Sequence, residues 1–527
     1  MRPVAGMLWP EASGVPIECL GSAMDAGFSA LPSGAQFAAP AAEADPRQLS
    51  FAWIEEQRRE CGGGAREAMG AANVQQGRGV HILTHASKSV AFALMGCGFL
   101  LSALMARAQY HDYARAEAPA QALGKGEAGK WVADVEVRGR SEDQTAINYS
   151  AGQNQTYELT RIHGGLEVRP VKWLTGYMQF HDNHALALPL AYTASNMRDS
   201  FDLRQGFAQF HGKTVTLTAG RQELKFGDER VIGISDWTNN SRTWDGFDMR
   251  VGDRNRVDLF STSVVAVHAT SLDKHGAGLT FHGVEGHITT LLPRTTIEPF
   301  VLVRALPRVL SQQKTYGSEL ETTTGAYAAS LLPLGFEYSA TGTLQRGSYA
   351  SDSIHAGSGI ARVGYMAKWM PWAPRVQGEY DYATGNPHRN ALRIGTNDQI
   401  YPSNHNAFGL VDLFGFENIK QLRGNVDLRP AKGLSMLFEA GSLHVATKMD
   451  GVYSGSGSSV IKAPAAGFAG DDIGTEFDAS AKVVVRKYVV ANVGVGHLFP
   501  GNVMTHNAHG APLTLAYLGF TYRFRVD

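Results

Sequence analysis

The sequence predicts an all-β protein: a transmembrane antiparallel β-barrel of about 18 strands, with short periplasmic turns and long extracellular loops. Three observations carry this. Short runs of alternating apolar and polar residues recur at fairly even spacing from residue 131 to the end of the chain. The connections between them alternate between short and long. The composition also lacks what a soluble multidomain chain would show, since 527 residues include 59 Gly and only 18% charged residues.

The runs lie near 131–140, 157–169, 173–181, 203–211, 214–222, 246–252, 256–266, 277–289 and 296–305. They continue near 323–332, 336–346, 359–369, 375–384, 419–429, 434–446, 474–485, 489–497 and 513–524. Pro170–Lys172, Gly212–Lys213, Met370–Pro374, Pro430–Gly433 and Arg486–Tyr488 are short connections; 182–202, 223–245, 306–322, 385–418 and 447–473 are long ones. Regular alternation gathers the short turns at one end, and an even strand count puts both chain ends there. A soluble propeller or solenoid would need a repeat of roughly 40–50 residues, and none is visible.

The two faces of the strands decide between a membrane and a soluble barrel. In Arg375–Tyr382, Val376, Tyr380 and Tyr382 alternate with Arg375, Gln377, Glu379 and Asp381. In Arg161–Arg169, Ile162, Leu166 and Val168 alternate with Arg161, His163, Glu167 and Arg169. With lipid outside, the polar face must line the interior. Leu518–Phe524 repeats the pattern with aromatics at 520, 522 and 524, and resembles the terminal signal read by barrel-assembly machinery, although the chain runs on to Asp527.

The start of the chain reads differently. Ser89–Met105 is the one long apolar run, preceded by Arg78, His81, His85 and Lys88 and followed by Ala106-Arg107-Ala108. This is the layout of a secretory signal peptide over 88–108, with a membrane-spanning helix and a lipoprotein box at Leu94–Cys97 as alternatives. Residues 1–87 are Ala-, Gly- and Pro-rich without periodicity, as expected of a non-native or disordered extension. Residues 109–130 become a periplasmic N-terminal segment and 131–527 the barrel. Cys19, Cys61 and Cys97 all precede the cleavage site, so disulfides and thiolate chemistry are excluded after processing. The first 108 residues hold 8 of the 48 Lys and Arg and 9 of the 49 Asp and Glu, leaving 40 of each. No basic excess remains to suggest a nucleic-acid partner.

Between two strand-like runs lies a polar stretch too long for a hairpin turn, GRQELKFGDERVIGISDWTNNSRTWDG at 220–246. Its GRQ strand end and G-x-x-R-x-x-G, DW-x-N and R-x-x-DG pieces resemble the bacterial outer-membrane alginate export family. Asn406 and Phe408 before DLFGFENIK at 412–420, EYDYATGN at 379–386, GTEFD at 474–478 and GHLFPG at 496–501 match as well. The resemblance spans roughly residue 130 to the C-terminus. It implies an 18-stranded barrel passing an anionic, alginate-like polysaccharide or oligosaccharide, and marks Arg221, Arg230, Asp236, Trp237, Asn239, Arg242 and Asp245 as motif positions. The loop is expected to fold inward and narrow the pore, with Arg221 and Arg242 at an anion-selective constriction and the aromatic residues suited to sugar stacking.

A uronate polymer calls for cations facing the lumen, preferably arginines. Strand parity nominates Arg138, Arg161, Arg362, Lys368, Arg375, Arg423, Arg429 and Lys482, each sharing a face with acids such as Glu136, Glu167, Glu379, Asp427 or Asp478. The same ladders would brace any wet barrel interior. His181/His184 and His506/His509 have histidines three apart, but no metal site is assigned to them. No catalytic motif appears, no cofactor is expected, and the chain reads as a channel rather than an enzyme. Its other contacts should be outer-membrane lipid and lipopolysaccharide. A generic or nutrient-specific porin is the alternative, followed by a barrel enzyme with a distant Ser/His/acid group.

Overall fold

The computed structural model describes residues 128–527 apart from 189–192, 277, 390, 406, 487, 508–509 and 527. The expected extension 1–87, the signal peptide 88–108 and nearly all of the segment 109–130 lie outside the described residues.

Eighteen strands form the wall: β1 (Lys130–Gln144), β2 (Gln155–Val171), β3 (Leu174–Leu186), β4 (Asp199–His211), β5 (Val215–Gln222) and β6 (Trp244–Gly252). Next come β7 (Arg256–Ala266), β8 (Thr280–His287), β9 (Thr295–Leu310), β10 (Tyr316–Leu331), β11 (Phe336–Tyr349) and β12 (Asp352–Met366). The last six are β13 (Arg375–Ala383), β14 (Ile419–Ala431), β15 (Leu434–Val445), β16 (Asp472–Arg486), β17 (Val489–Pro500) and β18 (Leu513–Val526). Each pairs antiparallel with the next. β18 then pairs with β1, from Val526 opposite Ala133 to Leu515 opposite Gln144, and the barrel closes. Closure removes every unpaired edge, the condition for a sheet to sit in lipid.

Each expected run of alternation corresponds to one of these strands. Outward positions such as Val137, Ile162, Leu166, Val376 and Tyr380 are exposed, whereas Arg138, Arg161, Gln377 and Glu379 on the opposite parity are buried. Exposed Trp131, Trp173 and Phe336 stand near the short-turn end, and exposed Phe201, Phe477 and Phe499 near the other. These are the aromatic girdles of a membrane barrel.

Two expectations are corrected. The long connection expected at 306–322 is mostly strand, because β9 and β10 extend until only 311–315 joins them. The ladder shifts register between Leu306 and Val309, which accommodates Pro307 and breaks the alternation that would have marked the strand. With the turn at 350–351 also tight, alternation of connection lengths is not strict. The interior, moreover, is not polar throughout. Phe260, Phe281, Phe300 and Leu302 of β7–β9 face inward and pack with Leu224, Ile232, Ile234 and Tyr401 from two connections. Apolar inward positions are tolerated there because protein, not water, covers them.

Candidate functional site

The 223–243 connection between β5 and β6 folds into the barrel and reaches across it. At one side Arg161 Nη1 lies 3.0 Å from Asp236 Oδ1. Arg138 donates from Nη1 to the Asp236 carbonyl and from Nη2 to that of Thr238, both at 2.7 Å. Arg523 Nη2 approaches Asp236 Oδ2 at 3.8 Å. These three arginines stand on β2, β1 and β18. At the other side Arg230 Nη2 donates to Glu379 Oε1 of β13 at 2.6 Å. Gly227, at φ +57°, lies where a Cβ would sit 3.0 Å from the Tyr327 ring of β10. The position needs glycine both for its left-handed backbone and for this approach. In a ring of 18 strands β1 and β10 are opposite, so the loop spans the lumen.

The 384–418 connection, between β13 and β14, folds inward too. It is one of the long connections of the long-loop end, yet Ala407, Phe408, Leu410, Val411, Phe414 and Phe416 are buried. It interlocks with the first loop. Ile232 bridges Tyr401 in parallel, Ser403 Oγ donates to Glu229 Oε2 at 2.7 Å, and Arg230 Nη1 donates to the Ala407 carbonyl at 2.9 Å. Arg242 Nη1 donates to the carbonyls of Gly233 and Tyr401, each at 2.7 Å. Leu410 and Val411 amides donate to Asp478 Oδ2 at 3.2 Å and Glu476 Oε1 at 2.8 Å on β16. Sequence parity had placed Asp478 on a lumen face; the structure shows it holding this loop.

The motif residues therefore act mainly as fasteners. Trp237 stacks on His405 with centroids 3.6 Å apart, and Arg140 lies 3.7 Å over the same ring. A parallel imidazole and a guanidinium this close must take opposite faces, so neither is left for the sugar stacking expected from sequence. Asn239 is buried and donates to the carbonyls of Thr160 and Met197 at 2.9 and 3.0 Å. Asp245 takes Arg221 in a bidentate pair at 2.8 and 3.1 Å. Burial pushes the Arg242 guanidinium down to about 10. Burial would raise the Asp236 carboxyl, but the Arg161, Arg138 and Arg523 guanidiniums outweigh it and hold the group well below the usual carboxylate range.

Between these loops and the short-turn end lies a cavity of about 1550 Å³. Among the described residues its lining includes thirteen Lys and Arg against seven Asp and Glu. Seven of the cations named from sequence are on it: Arg138, Arg230, Arg362, Lys368, Arg423, Arg429 and Lys482. Four are not. Arg161 is buried between Glu136 and Asp236, Arg375 pairs with Glu337 at 2.6 Å, and Arg221 and Arg242 are bound as described. Arg140, Arg204, Lys225, Lys432, Arg523 and Arg525 line the cavity but were not named from sequence. Parity would have found the strand members, since Arg523 and Arg525 alternate with Tyr522 and Phe524. Many lining cations are partly neutralised: Arg230, Arg362 and Arg423 converge on Glu379, and Arg423 Nη1 also meets Glu439 at 2.9 Å.

The fold is shared with solved outer-membrane structures. Pseudomonas aeruginosa OpdQ superposes with TM-score 0.52 at 10% identity, covering 76% of this chain and 99% of that one. Acinetobacter baumannii OccAB2 gives 0.51 at 10% identity over 76% and 99%. The outer membrane protein opdK of P. aeruginosa gives 0.50 at 10% identity over 76% and 100%. At such identity the likeness is one of fold. No curated protein matches the chain. The family model described as alginate export matches residues 130–514, which takes in the inward loops and every strand except the last, of which it reaches only the first two residues. The chain therefore belongs to the alginate export family, as a closed 18-stranded channel of the outer membrane.

Proposed function

We propose that the protein passes an anionic, alginate-like polysaccharide or oligosaccharide through its lumen, with the basic wall of the short-turn half guiding the carboxylates. The observation that carries this reading is the excess of thirteen cations over seven anions around the cavity, in a sequence whose formal net charge is only −1. Positive charge is concentrated on this wall rather than spread over the molecule. Arg429, Lys432 and Lys482 place it toward the short-turn end, and Arg138, Arg230 and Arg423 carry it up to the two loops. A polyanion gains from such a path because each sugar exchanges one set of lining cations for the next. Loops 223–243 and 384–418 set the width of the path.

Single-channel conductance of the purified protein, with and without oligouronate, tests this. An anion-preferring current that oligouronate blocks from the short-turn side is the expected result. An open channel with no anion preference and no block would instead indicate a general or nutrient-specific porin.

A further inference from the structure

Of the two histidine pairs seen in the sequence, the first does not form a site. His181 and His184 stand on opposite faces of β3: His181 is buried, while His184 Nε2 turns to Asp182 Oδ1 at 3.0 Å. His509 lies outside the described residues. The fold gives His181 other companions. Asp199 opens β4, and Asp273 comes from the 267–279 connection between β7 and β8. One ring nitrogen of His181 and one carboxylate oxygen from each aspartate lie within 4.8 Å of one another.

We propose that His181, Asp199 and Asp273 bind one divalent transition-metal ion of the zinc class, at the inner wall near the long-loop rim. Asp199 is completely buried, and neither of its carboxylate oxygens has a hydrogen-bond partner among the described residues. His181 Nε2 stands 2.8 Å from Asp199 Oδ2 without the alignment of a hydrogen bond. Asn183 Nδ2 lies 3.1 Å from His181 Nδ1, so Nε2 is the nitrogen that faces the carboxylates. A buried carboxylate without a hydrogen bond is costly, and Arg221 does not relieve it. Arg221 directs its guanidinium to both oxygens of Asp245 and to the backbone carbonyls of Leu203 and Asp273.

The remaining acceptors are already committed. Asp202 receives the Asp273 amide, and Asp273 Oδ1 receives the His268 amide at 2.7 Å, which fixes the third ligand in place and leaves Oδ2. Imidazole with two carboxylates suits zinc and its neighbours rather than calcium or magnesium, which take oxygen ligands alone. Bonds of about 2.1 Å to one ion bring ligand atoms within about 4.2 Å of each other, so small side-chain rotations complete the site. The other acidic cluster, Glu319, Glu321 and Asp398, provides the contrast: Arg304 Nη2 already sits among its carboxylates, 2.7 Å from Glu319 Oε1 and also bound to Asp398. A metal at the first cluster would tie the 267–279 connection to β3 and β4.

The test uses the full protein purified in detergent, stripped with chelator and titrated with Zn²⁺ by calorimetry and with Co²⁺ by visible absorption. One ion per barrel is expected, with ligand-field bands for Co²⁺. Asp199→Asn and Asp273→Asn should each weaken binding by at least about tenfold, while His184→Ala leaves it unchanged. Asp273 lies on a connection, so its variant keeps the barrel, as heat-modifiable gel mobility will verify. Substoichiometric binding to the wild type, or equal binding in the Asp273→Asn variant, overturns the proposal.

Discussion

Replacing Arg230 by Met should release the two inward loops while leaving the barrel intact. Arg230 is the point where three elements meet: Nη2 donates to Glu379 Oε1 on β13 at 2.6 Å, Nη1 donates to the Ala407 carbonyl at 2.9 Å, and its own backbone belongs to loop 223–243. Breaking a buried, hydrogen-bonded ion pair costs about 3–5 kcal/mol. The lower end applies here, because Glu379 keeps Arg362 and Arg423 as partners and is not left as an isolated buried charge. Methionine also preserves much of the apolar contact beside Phe408. A loss of about 3 kcal/mol corresponds to somewhat more than a hundredfold change in the ratio of latched to released loop. In planar bilayers the variant should show openings to a larger conductance that the wild type rarely reaches, with a frequency raised by about that factor. Strand content and heat-modifiable mobility should be unchanged, since no backbone hydrogen bond between strands is touched. If the folded variant has the wild-type conductance and event frequency, the loops do not gate the path, and the reasoning fails.

Arg429→Glu combined with Lys482→Glu should lower the anion-over-cation permeability ratio about fivefold or more, taking about 1 kcal/mol per nearby unit charge in water; an unchanged reversal potential would place selectivity elsewhere. Arg242→Met removes the donor to the buried Gly233 and Tyr401 carbonyls and should cost about 2–3 kcal/mol, seen as a lower unfolding temperature with unaltered ion preference. Cysteine at Ser456, exposed on the 446–471 connection, should react with impermeant reagent on intact cells, whereas cysteine at buried Ala407 or at Lys432 in a short turn should not. The folded Asp236 carboxyl titrates below its ordinary range, so its contribution is fully present above the unfolded value of about 4 and is lost only as pH falls through the lower folded value. Channel noise should therefore stay level from about pH 7 to about pH 4, while Asp236→Asn is already noisy at neutral pH.

The wall was legible in the sequence because its physics is local. A strand between lipid and water must alternate, so β13 shows its lipid face at Val376, Tyr380 and Tyr382 and its inner face at Gln377, Glu379 and Asp381 without reference to the rest of the chain. Six of the cations nominated by the same parity line the cavity, and Arg230, marked by the loop motif, is a seventh. It faltered where a strand was disguised, as at Pro307, and where inward positions are apolar, as at Phe281 and Phe300, because the covering segment comes from elsewhere in the sequence. The polar loop at 223–243 announced itself by composition, but its partners did not: Arg230 finds Glu379 149 residues away, and Arg242 finds Tyr401 159 residues away. Long-range contacts of this kind turned Arg242 and Trp237 from expected substrate contacts into fasteners, whereas Arg221 is held by Asp245, its partner across the β5–β6 ladder. They also drew His181 to Asp199 and Asp273 rather than to His184, its neighbour in sequence. Alternation along a strand is set by residues two apart. Which arginines are tied down is set by closure of the barrel, which brings distant carboxylates and carbonyls to some of them and leaves others lining the cavity.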